Sequence, residues 1–178
     1  MKKTLTVIIA LVLVVVMSVA GTVAYLTATT GPVVNTFTVG NIDITLTEAA
    51  TDFKMVPGSD IAKDPKVTVV GGSEACWLFV KVEESGNLDN FVTYNIAEGW
   101  TELAGVSGVF YREVAASTSD QEFFVLADNK VTVNDTVTKT MMDDLGKDGA
   151  TQPKLTFTAY AVQKDNIADA ATAWEKVA

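Results

Sequence analysis

Apolar and polar residues alternate along several short stretches of this chain with a period of two, which is typical of half-buried β-strands. Residues 41–47 show the pattern most cleanly, with Ile42, Ile44 and Leu46 on one face and polar side chains on the other. Further strands are predicted at 66–70, 76–83, 91–96, 109–114, 121–126, 130–137 and 155–163.

The run at residues 76–83, CWLFVKVE, has a more specific pattern. Its even positions are all apolar, whereas its odd positions change from Trp77 and Phe79 to Lys81 and Glu83. This predicts a strand that begins buried on both faces and ends exposed on one.

Turn signals such as Pro57-Gly58 and Gly71-Gly72 separate the predicted strands, and helical periodicity is rare. Short helices are predicted at 141–146 and 168–177, the second placing Trp174 against the sheet. About eight short strands predict an all-β fold, an antiparallel sandwich or jelly roll. The predicted core consists of Ile42, Ile44, Leu46, Val67, Val69, Leu78, Val80, Phe157 and Ala159.

Residues 2–24 have the order of a secretory signal peptide: two lysines, an apolar block and then small residues. The block spans about 16 residues, or about 24 Å as a helix, which is short of the about 30 Å of a bilayer core. This favours a cleaved signal helix over a permanent anchor. Cleavage is predicted between Ala24 and Tyr25, with cleavage after Ala20 as the alternative.

The stretch that follows the predicted cleavage site is uncharged and β-prone, and Gly31-Pro32 interrupts it. One interpretation is an ordinary first strand of the domain. The other is an N-terminal arm, residues 25–35, that adds to the sheet of a neighbouring subunit. In that arm Tyr25, Leu26, Val33 and Val34 are the candidate donor-strand residues, and residues 36–178 form the β domain.

The net charge and the amino-acid composition limit the classes of partner and of catalytic or metal site that the chain can have. The net charge is −9, and removal of the signal peptide with its two lysines takes it to −11, which disfavours nucleic acid as a partner. The single cysteine, Cys76, cannot form an intramolecular disulfide and is expected to be buried. The chain has no histidine, which removes the usual triads and zinc sites.

Two carboxylate pairs remain, at 83–84 and 143–144, and both are expected to be solvated. Residues 143–149 place acidic residues near glycines but lack the ligand spacing of a calcium loop. We therefore expect no catalytic residue, no cofactor and no metal.

Two segments near the start carry a resemblance to a known family. AGTVAYLTA at 20–28 is followed by NTFTVGNIDITLTE at 35–48. Phe37, Gly40, Ile42, Asp43 and Ile44 fall on the pattern Phe-x-x-Gly-x-(Ile/Leu)-Asp-(Ile/Leu). The chain thereby resembles the TasA/camelysin family of exported Gram-positive proteins, and 56–71 and 155–177 are similar to segments of that family. The region 85–150 shows no such similarity.

The resemblance implies a jelly-roll subunit of extracellular biofilm-matrix fibres, in which one subunit's N-terminal strand completes the sheet of the next. Its partners would be further copies of itself and, during export, a dedicated signal peptidase; it would meet a membrane only through the signal peptide. The protein would be secreted, in the matrix or at the cell surface. The metallopeptidase label of some relatives is not carried over, because this chain lacks histidine. The alternatives are a monomeric surface-binding or adhesive module and a secreted peptidase.

Overall fold

A computed structural model describes residues 40–49, 54–145, 147 and 152–177. These residues are mostly antiparallel β-sheet with two short α-helices, so the predicted all-β class is confirmed. The strands are β1 Ile44–Thr47, β2 Asp60–Ala62, β3 Lys66–Val69, β4 Cys76–Glu84, β5 Val92–Thr93, β6 Thr101–Glu102, β7 Val109–Val114, β8 Gln121–Phe124, β9 Lys130–Val133 and β10 Leu155–Gln163. The helices are α1 Lys139–Asp144 and α2 Ala170–Trp174.

The strands form three sheets whose members are hydrogen-bonded in the orders β1-β3-β8, β10-β4-β7-β6 and β2-β9-β5. The long strand β4 organises the four-stranded sheet. All nine of its residues pair with β10, from Cys76 opposite Gln163 to Glu84 opposite Leu155. Its other edge pairs with β7, where Leu78 lies opposite Arg112.

Strand β4 contributes to two cores because its first half is apolar on both faces. Its even residues share one core with Val67 and Val69 of β3, so the first two sheets pack against each other there. On the opposite face, Trp77 and Phe79 pack with residues of α2. Toward the end of the strand Glu83 is exposed, which confirms the predicted change from two buried faces to one.

Helix α2 covers the second face of β4 through an aromatic cluster. The Trp174 ring lies 5.2 Å from that of Phe79 and 5.5 Å from that of Tyr160, the latter edge-on. Asp169 caps the helix by accepting a hydrogen bond from the Thr172 amide at 2.7 Å. The predicted helix and its packing tryptophan are therefore present, although the helix spans only five residues.

The third sheet has a smaller core of its own. Val92 of β5 and Val133 of β9 are buried beside Leu88 and Phe91, and Met141 and Met142 of α1 pack against them. Thr138 begins α1 as its N-cap, its side chain accepting from the Met141 amide. This helix begins two residues before the predicted start at 141.

The predicted strand boundaries are correct for 109–114 and 155–163, and within one residue for 66–70 and 76–83. The prediction for 91–96 was too long, because Phe91 closes a 3-10 turn and only Val92–Thr93 join a ladder, with an isolated bridge at Ile96. The short strands β2 and β6 were not predicted. They are two to three residues long, which leaves no alternation to detect.

The core prediction is confirmed for Val67, Val69, Leu78 and Val80, all at most 1% exposed. Four more predicted residues are half-buried and pack against this core: Ile42, Ile44, Phe157 and Ala159. The prediction was wrong for Leu46, which is 36% exposed. Leu46 shares the face of Ile44 but lies further along an edge strand, where fewer neighbours cover it.

Candidate functional site

The outer edge of β10 is the longest sheet edge that the described residues leave without a hydrogen-bonded partner. β10 is nine residues long and pairs with β4 on one side, and among the described residues no strand is hydrogen-bonded to its other side, although β1 of the neighbouring sheet lies close to it. An unpaired edge of this length presents a row of backbone donors and acceptors to any extended chain that approaches.

The register shows which backbone groups face outward. The Ser85 amide donates to the carbonyl of Lys154, and the Lys164 amide donates to the carbonyl of Ala75, both at 2.9 Å. Because hydrogen-bonded pairs alternate in an antiparallel ladder, the even residues of β10 bond to β4. The odd residues therefore direct their N–H and C=O groups away from the sheet: Leu155, Phe157, Ala159, Ala161 and Gln163.

The sequence of this edge lacks the features that discourage strand addition. LTFTAYAVQ contains no charged residue, proline or glycine, and each of its residues pairs in register with β4 without a bulge. Natural edge strands are commonly protected by such charges, prolines or bulges. The chemistry of the edge therefore permits backbone pairing with another strand.

Apolar side chains from two sheets lie beside this edge. Phe157 and Ala159 of β10 and Ile42 and Ile44 at β1 are half-buried and pack against the same core. Strand β1 is itself the edge of its own sheet. A strand added to β10 would bring its inward side chains against this partly covered apolar surface.

The two ends of the edge carry polar side chains. Near the start of β10, Lys63 forms an ion pair with Glu48 and lies 5.4 Å from the centre of the Phe157 ring. At the far end Gln163 donates to Glu74 at 2.7 Å. Gly40 lies against both of these side chains, since a Cβ there would be 2.7 Å from Glu74 and 3.0 Å from Gln163.

The position of Gly40 has a topological consequence. The described chain begins there, beside the last residue of β10, and continues into β1. The residues that precede Gly40 are therefore covalently attached at one end of the open edge. Substitution of Gly40 would disturb this junction, because Glu74 would have to move.

A partly open cavity of about 560 Å³ with a mixed apolar and polar lining lies at the other end of the edge, next to Leu155. The third sheet, the segments beside it and the start of β10 supply its apolar residues: Met55, Ile61, Leu88, Val92, Val131 and Leu155. The rest of the wall consists of Lys63, Gln152, Pro153, Lys154 and Thr156. Its volume lies within the range of small-molecule pockets, roughly 300–1,000 Å³.

The predicted carboxylate pairs are exposed. Lys81 donates to Glu83 at 2.7 Å, which raises the pKa of Lys81, and Tyr94 donates to Glu84. Burial, and then the Glu84 contact, raise the pKa of Tyr94. In the second pair Asp143 bonds to Lys139, and within the described residues no group of three potential ligands could hold a metal ion.

Cys76 is buried, as predicted, and burial raises the pKa of its thiol to about 11. A thiol with a raised pKa is protonated at neutral pH and is a poor nucleophile. This environment fits a packing role for the cysteine.

The residues predicted to form the donor arm, Tyr25, Leu26, Val33 and Val34, lie outside the described residues, as does the predicted cleavage site at Ala24. The described part of the chain contains no helix that is long and apolar enough to cross a membrane. No protein-family model, curated protein or solved structure matches the chain.

The edge of β10 was not identified from sequence, although the lack of charge in 155–163 was visible there.

Proposed function

We propose that this protein is a secreted structural subunit of extracellular biofilm-matrix fibres. In this proposal the domain is a β-sandwich of the jelly-roll type, and an N-terminal signal helix is removed during export. Each subunit donates residues 25–35 to the open edge of β10 in the next subunit. Such a head-to-tail contact does not close on itself and therefore produces filaments.

The observation that carries the proposal is the uncharged, nine-residue outer edge of β10. Five outward N–H groups and five outward C=O groups offer one side of a ladder, and half-buried apolar side chains lie beside it. A donor strand would satisfy these groups and cover these side chains at once. Residues 25–35 are suited to this role because they are uncharged and β-prone, and they belong to the part of the chain that leads to Gly40.

A pair of proline variants tests the acceptor edge. The Ala159 amide points outward, so Ala159→Pro removes a donor that β4 does not use and places the ring in the path of an added strand. The Thr158 amide bonds to β4, so Thr158→Pro should cost about 3 kcal/mol or more of folding stability. We expect Ala159→Pro to remain folded and to form no fibres by electron microscopy. Normal fibres from this folded variant would exclude β10 as the acceptor.

Deletion of residues 25–35 tests the donor. The shortened protein should be folded and monomeric, and a synthetic peptide of sequence YLTATTGPVVN should slow fibre growth of the intact protein by occupying the edge. If the deletion variant still forms fibres, the arm is not the donor. If it fails to fold, the alternative interpretation as an ordinary first strand is supported instead.

Amide exchange gives a direct readout at single residues. In dilute protein the Ala159 and Ala161 amides should exchange rapidly, whereas the Thr158 and Tyr160 amides are protected by β4. In fibres the two alanine amides should become protected as well. Persistent rapid exchange in fibres would show that assembly uses another surface.

The cavity beside Leu155 favours one second candidate, a secreted module that binds a small apolar ligand. Its volume lies within the range of small-molecule pockets, and six of the eleven residues that line it are Met, Ile, Leu or Val. Leu88→Trp would fill the cavity from a buried position, and Val56→Trp, at an exposed position, is its control. This candidate would be favoured if only Leu88→Trp lost binding to an apolar dye and if the wild-type protein formed no fibres.

A further inference from the structure

Arg112 is the chain's single arginine, and its guanidinium lies over two aromatic rings. It lies on β7, and its guanidinium carbon is 3.9 Å from the centre of the Phe123 ring and 5.4 Å from that of Trp100. The Trp100 indole donates to the carbonyl of Phe124 at 2.9 Å, which fixes one ring. Pairing of Phe123 with Val67 fixes the strand that carries the other. The guanidinium plane is therefore oriented before any partner arrives.

The two terminal nitrogens of Arg112 lie against Gly99. A Cβ on Gly99 would be 3.3 Å from one terminal nitrogen and 3.4 Å from the other. Gly99 also has a φ of +88°, a conformation that favours glycine. Because Gly99 has no side chain, the two terminal nitrogens of Arg112 fit against its backbone. A larger residue at position 99 would occupy that space.

Arg112 has no acidic partner within the described residues, although the chain has 22 acidic side chains. Seven ion pairs form in that part of the chain, and each of them uses a lysine. The Nε of Arg112 is buried and has no hydrogen-bond acceptor. Desolvation lowers the pKa of the guanidinium, which nevertheless stays protonated at neutral pH.

A buried donor without an acceptor opposes folding, so stability alone does not account for an arginine at this position. A methionine would cover the same rings without a buried unsatisfied group. What arginine adds is a rigid fork of N–H donors that matches the two oxygens of a carboxylate. The stacked and unpaired guanidinium therefore has the properties of a receptor for an anion.

We propose that Arg112 binds a carboxylate side chain of a second copy of this chain, through hydrogen bonds from its two terminal nitrogens. Charge complementarity argues for this occupant. Every copy carries 22 acidic side chains and a net charge of −9, or −11 without the signal peptide, so copies repel one another overall and a cation at their contact lowers that repulsion. Seven of the ten described lysines are already paired with an acidic side chain, whereas Arg112 has no acidic neighbour in that part of the chain and holds its fork of donors against two aromatic rings.

This contact is separate from the proposed strand addition. Arg112 lies on β7, whereas the open edge belongs to β10, and β4 runs between these two strands. Failure of one contact therefore does not remove the other. Strand addition is measured by exchange of the β10 amides, and the carboxylate contact is measured by the Nε–Hε signal of Arg112.

Nuclear magnetic resonance gives a unique probe, because a chain with one arginine has one arginine Nε–Hε signal. We expect this signal to shift in a saturable way as protein concentration increases. Sodium glutamate should also shift it, whereas sodium chloride at the same ionic strength should not. A signal that does not respond to protein concentration overturns the proposal. A response to glutamate alone would identify a free carboxylate as the ligand and would overturn the assignment to a second copy.

Three variants separate binding from folding. Arg112→Gln should weaken self-association about tenfold in sedimentation experiments. Lys66→Gln makes the same charge change at a cation already paired with Glu122, and it should change association less than twofold. Arg112→Met should lose association equally while keeping or raising the melting temperature. Wild-type association in Arg112→Gln would overturn the proposal and show that Arg112 only packs the core. A lowered melting temperature in Arg112→Met would overturn the argument that stability does not account for an arginine at this position.

Discussion

Two leucine-to-alanine substitutions at contrasting positions test the packing of the first core. Leu78 is fully buried in the middle of β4, between paired strands on both sides. Leu46 is 36% exposed on the edge strand β1. Both changes remove the same three carbon atoms, so a difference in their effects reports only the surroundings.

The expected magnitudes follow from burial. Loss of three buried carbons at Leu78 costs about 2.4 kcal/mol in transfer free energy, at about 0.8 kcal/mol for each carbon. Strands on both sides prevent collapse, so a cavity adds to this and the total should reach about 3–4 kcal/mol. At Leu46 roughly a third of the side chain is already in water and no closed cavity forms. The cost there should be about 1 kcal/mol.

Urea unfolding followed by tryptophan fluorescence measures both values. With a dependence of about 2 kcal/mol per molar urea, the midpoint should fall by about 1.5–2 M for Leu78→Ala and by about 0.5 M for Leu46→Ala. The slope should not change in either variant. Equal losses, or a larger loss at Leu46, would refute the inward assignment of the even residues of β4.

Three further predictions concern other regions. The Cys76 thiol, whose pKa is raised to about 11, should react with a thiol reagent only after unfolding. It should contribute stability that is complete below about pH 9 and is lost as pH rises toward 11. Cys76→Val should lack this loss of stability at alkaline pH in urea unfolding. Trp174→Ala should remove the ring contact with Phe79, lower the free energy of unfolding by about 2–3 kcal/mol and weaken the near-ultraviolet circular dichroism. The Thr172 amide holds the pKa of Asp169 below its usual value, so this carboxylate stabilises the fold above about pH 4 and loses that effect as pH falls. Asp169→Asn should keep the helix cap but lose this pH dependence in thermal unfolding, and an unchanged profile would contradict the capping role.

The long elements of the fold were predictable because their signals are local. Residues 76–83 and 155–163 show sustained β-prone patterns, and the structure contains both strands at nearly those boundaries. The two-faced character of β4 followed from Trp77 and Phe79 at odd positions. Residues 91–96 were mistaken for a continuous strand because Phe91, Val92 and Tyr94 resemble one, although pairing with β9 ends after Thr93.

The candidate site depends on which strands become neighbours, and a single sequence does not contain that information. Residues 155–163 contain no charge, proline or glycine that would mark an edge strand, yet β10 is an edge. The stacking of Arg112 likewise requires β8 to bring Phe123 to β7, a contact between residues distant from each other along the chain. Pairings of this kind are set by the packing of whole sheets rather than by local preference.

β10 differs from every other sheet edge that the structure describes. The other five edge strands, β1, β2, β5, β6 and β8, are two to four residues long. Several also carry an acidic side chain, such as Asp60 on β2, Glu102 on β6 and Glu122 on β8. Short length and charge both disfavour pairing with another chain, and β10 has neither protection. In a chain with 22 acidic residues, one nine-residue edge without any charge would be an aggregation hazard unless another strand covers it. This contrast supports strand addition at β10, and exchange of its outward amides in fibres is the measurement that tests it most directly.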